Sequence, residues 1–139
     1  MVNTMPDKNK IKHIDKIKKE RNSFRKRIVR LNALACSNVD SYEFDLDIAE
    51  LNAKNGISAL GAKNSLQEML AAQMLSIHRY QQLAIAMANG PNPIEIKQYF
   101  TNAAIKLANT FVQQANLLNK LQGNGEQKII VEHVDVHNG

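Results

Sequence analysis

The sequence predicts a mainly α-helical protein: an antiparallel helical hairpin with an N-terminal basic helix and a short C-terminal β-strand. Three observations carry this. Apolar residues recur at three- and four-residue steps over most of the chain, helix starts and stops punctuate its second half, and a β-branched alternating run closes it. The 139 residues divide into a basic amphipathic helical arm (1–36), an acidic connector (37–60), the helical hairpin (61–123) and a C-terminal strand or tail (124–139).

The arm reads as one helix from Asp7 to about Ala35. Ile11, Ile14, Ile17, Phe24, Ile28, Leu31 and Ala35 form a narrow seam with coiled-coil spacing, and Arg21 is the one polar residue in that series. Neither Pro nor Gly interrupts it. The connector is ambiguous. Tyr42, Phe44, Leu46 and Ile48 alternate with polar residues, as in a strand. Asp47-Ile-Ala-Glu50 also has the form of a capping box, and Asn55-Gly56 would end a helix begun there. Both readings stay open for residues 41–48.

The hairpin is marked more sharply. Ser65-Leu-Gln-Glu68 is a capping box, in which the hydroxyl and the carboxylate each satisfy a backbone N–H that has no helical partner. Asn89-Gly90-Pro91 stops that helix. Asn92-Pro-Ile-Glu95 starts the next, with Asn as N-cap and Pro in the first helical position, and Gly123 ends it. A linker this short forces the two helices antiparallel. Leu66, Leu70, Ile77, Ala84 and Met87 line the inner side of the first helix. Phe100, Ala104, Leu107, Phe111 and Leu118 line that of the second, and Asn102, Asn109 and Asn116 recur every seven residues on its opposite side. Ile105 and Val112 on one flank, and Tyr99 and Leu117 on the other, make the apolar surface wider than one partner helix covers. Either the N-terminal helix joins the two or a second subunit does, and a homo-oligomer is the expectation.

In the tail, Ile130, Val134 and Val136 alternate with His133, Asp135 and His137, which reads as a strand without a hairpin partner. Imidazole and carboxylate groups at that spacing suit a divalent metal, but a trio on a terminal strand offers no substrate pocket, and a solvated polar face is the favoured reading.

Charge is unevenly distributed. Residues 1–30 hold 11 Lys and Arg against three acids, a net +8, whereas the remainder holds 7 against 10, a net −3. Lys10, Lys12, Lys16, Lys18, Lys19, Arg21, Arg25, Lys26, Arg27 and Arg30 surround the seam and are the candidate nucleic-acid-binding residues. Few aromatics accompany them, so base stacking is not indicated. A solvated interaction helix fits the same pattern, and a membrane-surface helix fits it less well. Asp40, Glu43, Asp45, Asp47 and Glu50 form an acidic stretch without a Lys or Arg among them.

Most enzyme classes find no support. Walker loops, paired cysteines, Gly-rich dinucleotide loops and Ser-based triads are absent from the sequence. Cys36 lies near a helix C-terminus, where the dipole disfavours a thiolate, and His78 has Met74 and Gln82 one turn away on either side. No catalytic residue, metal site or cofactor is assigned. The single cysteine and the absence of an apolar stretch in the first ten residues lead to a cytoplasmic, reducing location as the expectation.

Glu68-Met-Leu-Ala-Ala-Gln-Met74, Leu107-Ala-Asn-Thr-Phe-Val-Gln-Gln114 and Gly125-Glu-Gln-Lys128 followed by Val131-x-His-Val-x-Val136 carry a resemblance. Over about residues 60–139 the chain resembles an uncharacterised family of small bacterial proteins associated with prophage or mobile-element regions. The resemblance implies no activity, cofactor or catalytic residue. It implies that hairpin and strand form one inherited unit, and that the chain ordinarily continues past Asn138-Gly139. The expectation is a non-enzymatic, oligomer-forming assembly or adaptor protein that holds nucleic acid through its arm. The alternatives are a purely structural protein–protein interaction module and, more remotely, a metal-dependent enzyme.

Overall fold

A computed structural model describes Met5 and residues 7–123. Four helices follow one another: α1 (Lys8–Ala35), α2 (Leu46–Ala59), α3 (Ser65–Asn89) and α4 (Ile94–Leu121). No strand occurs among the described residues. The predicted C-terminal strand, with His133, Asp135 and His137, lies outside them.

Each helix begins at a side chain that accepts from an orphan backbone N–H, except α4. Asp7 caps α1 by accepting from Asn9 N, as the arm's predicted start requires. The connector resolves into a turn-rich loop and a helix. Asp45, two residues before the predicted Asp47, is the N-cap of α2 and accepts from Asp47 N and Ile48 N. The helix also runs through Asn55-Gly56 to Ala59 instead of ending there. Gly56 serves packing: a Cβ at this position would stand 2.8 Å from Leu75 Cδ1 on α3. The stop falls at Gly61, whose φ of +74° only glycine adopts freely.

The hairpin caps shift in the same way. Asn64, not Ser65, caps α3 by accepting from Gln67 N, and Gln67 Oε1 accepts from Lys63 N. The cap thus lies one residue earlier than predicted, with the Gln67 side chain returning to the residue before it, and Glu68 is released for another role. Asn92 does not cap α4. Its side chain donates to Met87 O at the end of α3, and Pro93 occupies the cap position without a side-chain bond.

α3 and α4 pack along their length, and α1 and α2 pack on α3 and on each other. One apolar cluster joins Ile28 of α1, Ile57 of α2 and Ala71 of α3, with Phe24, Val29, Leu60 and Leu75 around it. A second joins Leu70 and Met74 of α3 to Leu118 of α4, with Phe111 and Ala115. The predicted inner residues Leu70, Ala84, Ala104 and Leu118 are buried. Leu66 and Met87, in the first and last turns of α3, are exposed instead. Asn102, Asn109 and Asn116 face solvent as expected. Ile105, Val112, Tyr99 and Leu117 remain exposed on both flanks of α4.

Side-chain amides fasten the helices to one another. Asn32 Nδ2 donates to Ala72 O at 2.7 Å, joining α1 to α3. Gln67 Nε2 donates to Leu121 O at 3.2 Å, joining the start of α3 to the end of α4. Gln122 Nε2 donates to Leu60 O at 2.7 Å and so fastens the end of α4 to that of α2. The carbonyls of Leu60 and Leu121 stand at helix ends without helical partners, and a neutral amide satisfies each without bringing a charge into the interior; that of Ala72 is within α3 and takes the Asn32 amide as an additional donor.

Candidate polyanion-binding arm

α1 is 28 residues long, roughly 42 Å at 1.5 Å per residue. Its second half is docked, while every residue from Lys8 to Ser23 is exposed. The boundary is electrostatic. Glu68 on α3 is only 2% exposed, and its Oε1 lies 3.7 Å from Arg21 Nη2 and 3.7 Å from Arg25 Nε. Arg21 also donates to the carbonyl of Lys63. Two arginines from successive turns of α1 thus close over one buried carboxylate. N-terminal to Arg21, the thirteen residues Lys8–Glu20 project about 20 Å beyond the body.

The ten candidate basic residues consequently separate into groups. Arg21 and Arg25 are docking residues whose charge is spent on Glu68. Arg27 lies over the Phe24 ring, its Cζ 5.4 Å from the centroid. Lys26 and Arg30 share a groove with Asp47 and Glu50 of α2, so the acidic stretch offsets them. Lys10, Lys12, Lys16, Lys18 and Lys19 stand on the projecting segment. At 100° per residue, Lys12, Lys16 and Lys19 form one stripe that Lys26 and Arg30 extend, and Lys10 and Lys18 lie nearer the isoleucine seam. Lys8, one turn before Lys12, completes the stripe. Sequence reasoning passed over it, although its four-residue spacing to Lys12 was the available signal.

The stripe and the seam occupy opposite sides of α1. Ile11, Ile14 and Ile17 are 42%, 50% and 50% exposed, so the seam continues past the body without cover. One helix therefore presents cations on one face and an apolar row on the other.

The remaining candidates are structural. Cys36 is half-buried at the C-cap of α1, and burial raises its thiol pKa; the Arg79 charge and a hydrogen bond with Asn32 oppose that only in part. A thiol so placed is a poor nucleophile. The His78 ring packs 6.1 Å from that of Phe111, tilted by 50°, as a hairpin contact. No group of three potential metal ligands occurs among the described residues. No helix among them is long and apolar enough to cross a membrane.

Comparison with protein-family models, with curated proteins and with solved structures found no match.

Proposed function

We propose that this protein is a non-enzymatic assembly or adaptor module that holds nucleic acid through the projecting part of α1. The observation that carries the reading is the lysine stripe on a helix standing clear of the body. A phosphate backbone repeats its charge along its length, and a row of ammonium groups on a rigid rod can track it without reading base edges. Lys8, Lys12, Lys16 and Lys19 supply the row, and residues 31–139, at a net −3, add no attraction of their own for a polyanion. The resemblance over residues 60–139 gives the phage or mobile-element setting its only support.

Titration of fluorescent duplex DNA by anisotropy tests the reading. Binding is expected at low salt, to fall steeply as salt rises, and to vary little with sequence. Lys12→Ala, Lys16→Ala and Lys19→Ala together should abolish it while the helical content stays unchanged. Absence of binding by the intact protein at low salt would refute the nucleic-acid role. The second reading, a pure protein–protein module, then stands on the uncovered isoleucines of the same helix.

A further inference from the structure

The apolar row of α1 does not stop where the arm leaves the body. Ile14, Ile17, Arg21, Phe24, Ile28, Leu31 and Ala35 follow one another at alternating three- and four-residue steps, the heptad spacing of a two-helix seam. The fold uses one side of this seam. Ile28 is buried against α2 and α3, and Arg21, the polar interruption, is turned aside onto Lys63 and Glu68. The other side is left at the surface. Ile17 is 50% exposed and Leu31 67% exposed, with half-buried Phe24 between them. Phe24 and Leu31 line an apolar groove of about 350 Å³ between α1 and α3, closed on its far side by Met69 and Ala72.

We propose that the occupant of this row is α1 of a second copy, packed antiparallel, with Phe24 of each copy on the two-fold axis and Ile17 of one opposite Leu31 of the other. The inference rests on reading the chain as an assembly module and specifies the surface it uses. Charge selects both partner and direction. A parallel pair would set each lysine-rich arm beside its copy. An antiparallel pair carries the arm of one chain toward the end of the other chain's α1, after which the loop bearing Asp40, Glu43 and Asp45 begins. Length agrees: Lys8 lies sixteen residues before Phe24, and Asp40 lies sixteen after it. The arrangement is isologous, so every contact is made twice. It also takes Ile14 and Ile17, half exposed in the single chain, out of water. The lysine stripe, on the opposite face, remains open to a polyanion.

Sedimentation and disulfide trapping test this. The wild-type protein should sediment as a dimer at micromolar concentration. Ile17→Gln with Leu31→Gln should sediment as a monomer with unchanged circular dichroism, since both side chains are at least half exposed in the single chain. In a Cys36→Ser background, Ile17→Cys with Leu31→Cys should oxidise to a covalent dimer, whereas Ile17→Cys alone should not. The two positions are roughly 21 Å apart within one helix, so they cannot link intramolecularly. A monomeric wild type, a glutamine variant that remains dimeric, a double-cysteine variant that fails to cross-link, or cross-linking through Ile17→Cys alone each overturns the proposal. The nucleic-acid reading is judged separately by anisotropy on the lysine variant, which retains the apolar row and should still dimerise.

Discussion

Glu68 shows how one side chain fixes the division of a helix into docked and free parts. A carboxylate taken almost wholly out of water is costly unless cations accompany it, and here both cations come from α1 across more than forty residues of chain. The two arginines are themselves partly exposed, so removing the acid lets them return to solvent, but removing them leaves the acid stranded. The consequences are unequal. Arg21→Ala with Arg25→Ala should lower stability by about 3 kcal/mol, the scale for an unpaired buried charge. Adding Glu68→Gln to that double variant should restore much of the loss. Urea denaturation of the three variants checks this, and equal stability of the double and triple variants would show that the buried charge is immaterial. Asn32 and Gln122 act on the same scale. Asn32 donates to a carbonyl of α3 and Gln122 to the carbonyl that follows α2, so each joins segments distant in the chain.

α2 owes its place to Gly56. The helix approaches α3 closely enough that Leu75 occupies the space a side chain would need. Replacing Gly56 by Ala sets about 1 kcal/mol of gained helix propensity against displacement of the flexible end of Leu75, so the net effect should be small. Gly56→Val adds two methyl groups in the same space and should destabilise by about 1–3 kcal/mol through overpacking of the Ile57–Ala71 cluster. Thermal unfolding of both variants measures the difference. At the same scale, Phe111 joins the α3–α4 cluster through a half-buried ring, so Phe111→Ala should cost about 2–3 kcal/mol, less than the 3–5 kcal/mol typical of a fully buried ring.

The described residues form a body of α2, α3 and α4 on which α1 is half laid. Where the chain may be cut follows from that. Removing residues 1–30 would take away Ile28 from the core and both arginines from Glu68, at a cost above about 5 kcal/mol, so the hairpin should not survive it. Removing residues 1–19 keeps those contacts and leaves Glu20 at the new helix start, where a negative charge is favourable. The shorter deletion should fold with wild-type cooperativity and lose DNA retention, as read by chemical denaturation and anisotropy. Under the proposed function, the net charge of the arm, not that of the whole chain, should govern polyanion binding.

Local patterns were legible from the residues alone. The extents of α1, α3 and α4 follow from apolar spacing and from breaks such as Asn89-Gly90-Pro91, because a helix is closed by bonds between neighbours four residues apart. The charged arm was legible too, since a count of Lys and Arg needs no coordinates. Four features depended on packing between distant segments. Residues 46–59 form a helix because Ala53 and Ile57 reach a core that α1 and α3 supply. Gly56 lies within that helix instead of ending it because Leu75 needs the space. Arg21 and Arg25 belong to the fold and not to the free lysine row because Glu68 is buried beneath them. Ile11, Ile14 and Ile17 are uncovered because α3 begins only at Ser65, level with the turn of α1 that holds Arg21. Composition and spacing determine which residues are basic and which are apolar. Only the tertiary contacts decide which of them the fold consumes and which it leaves uncovered.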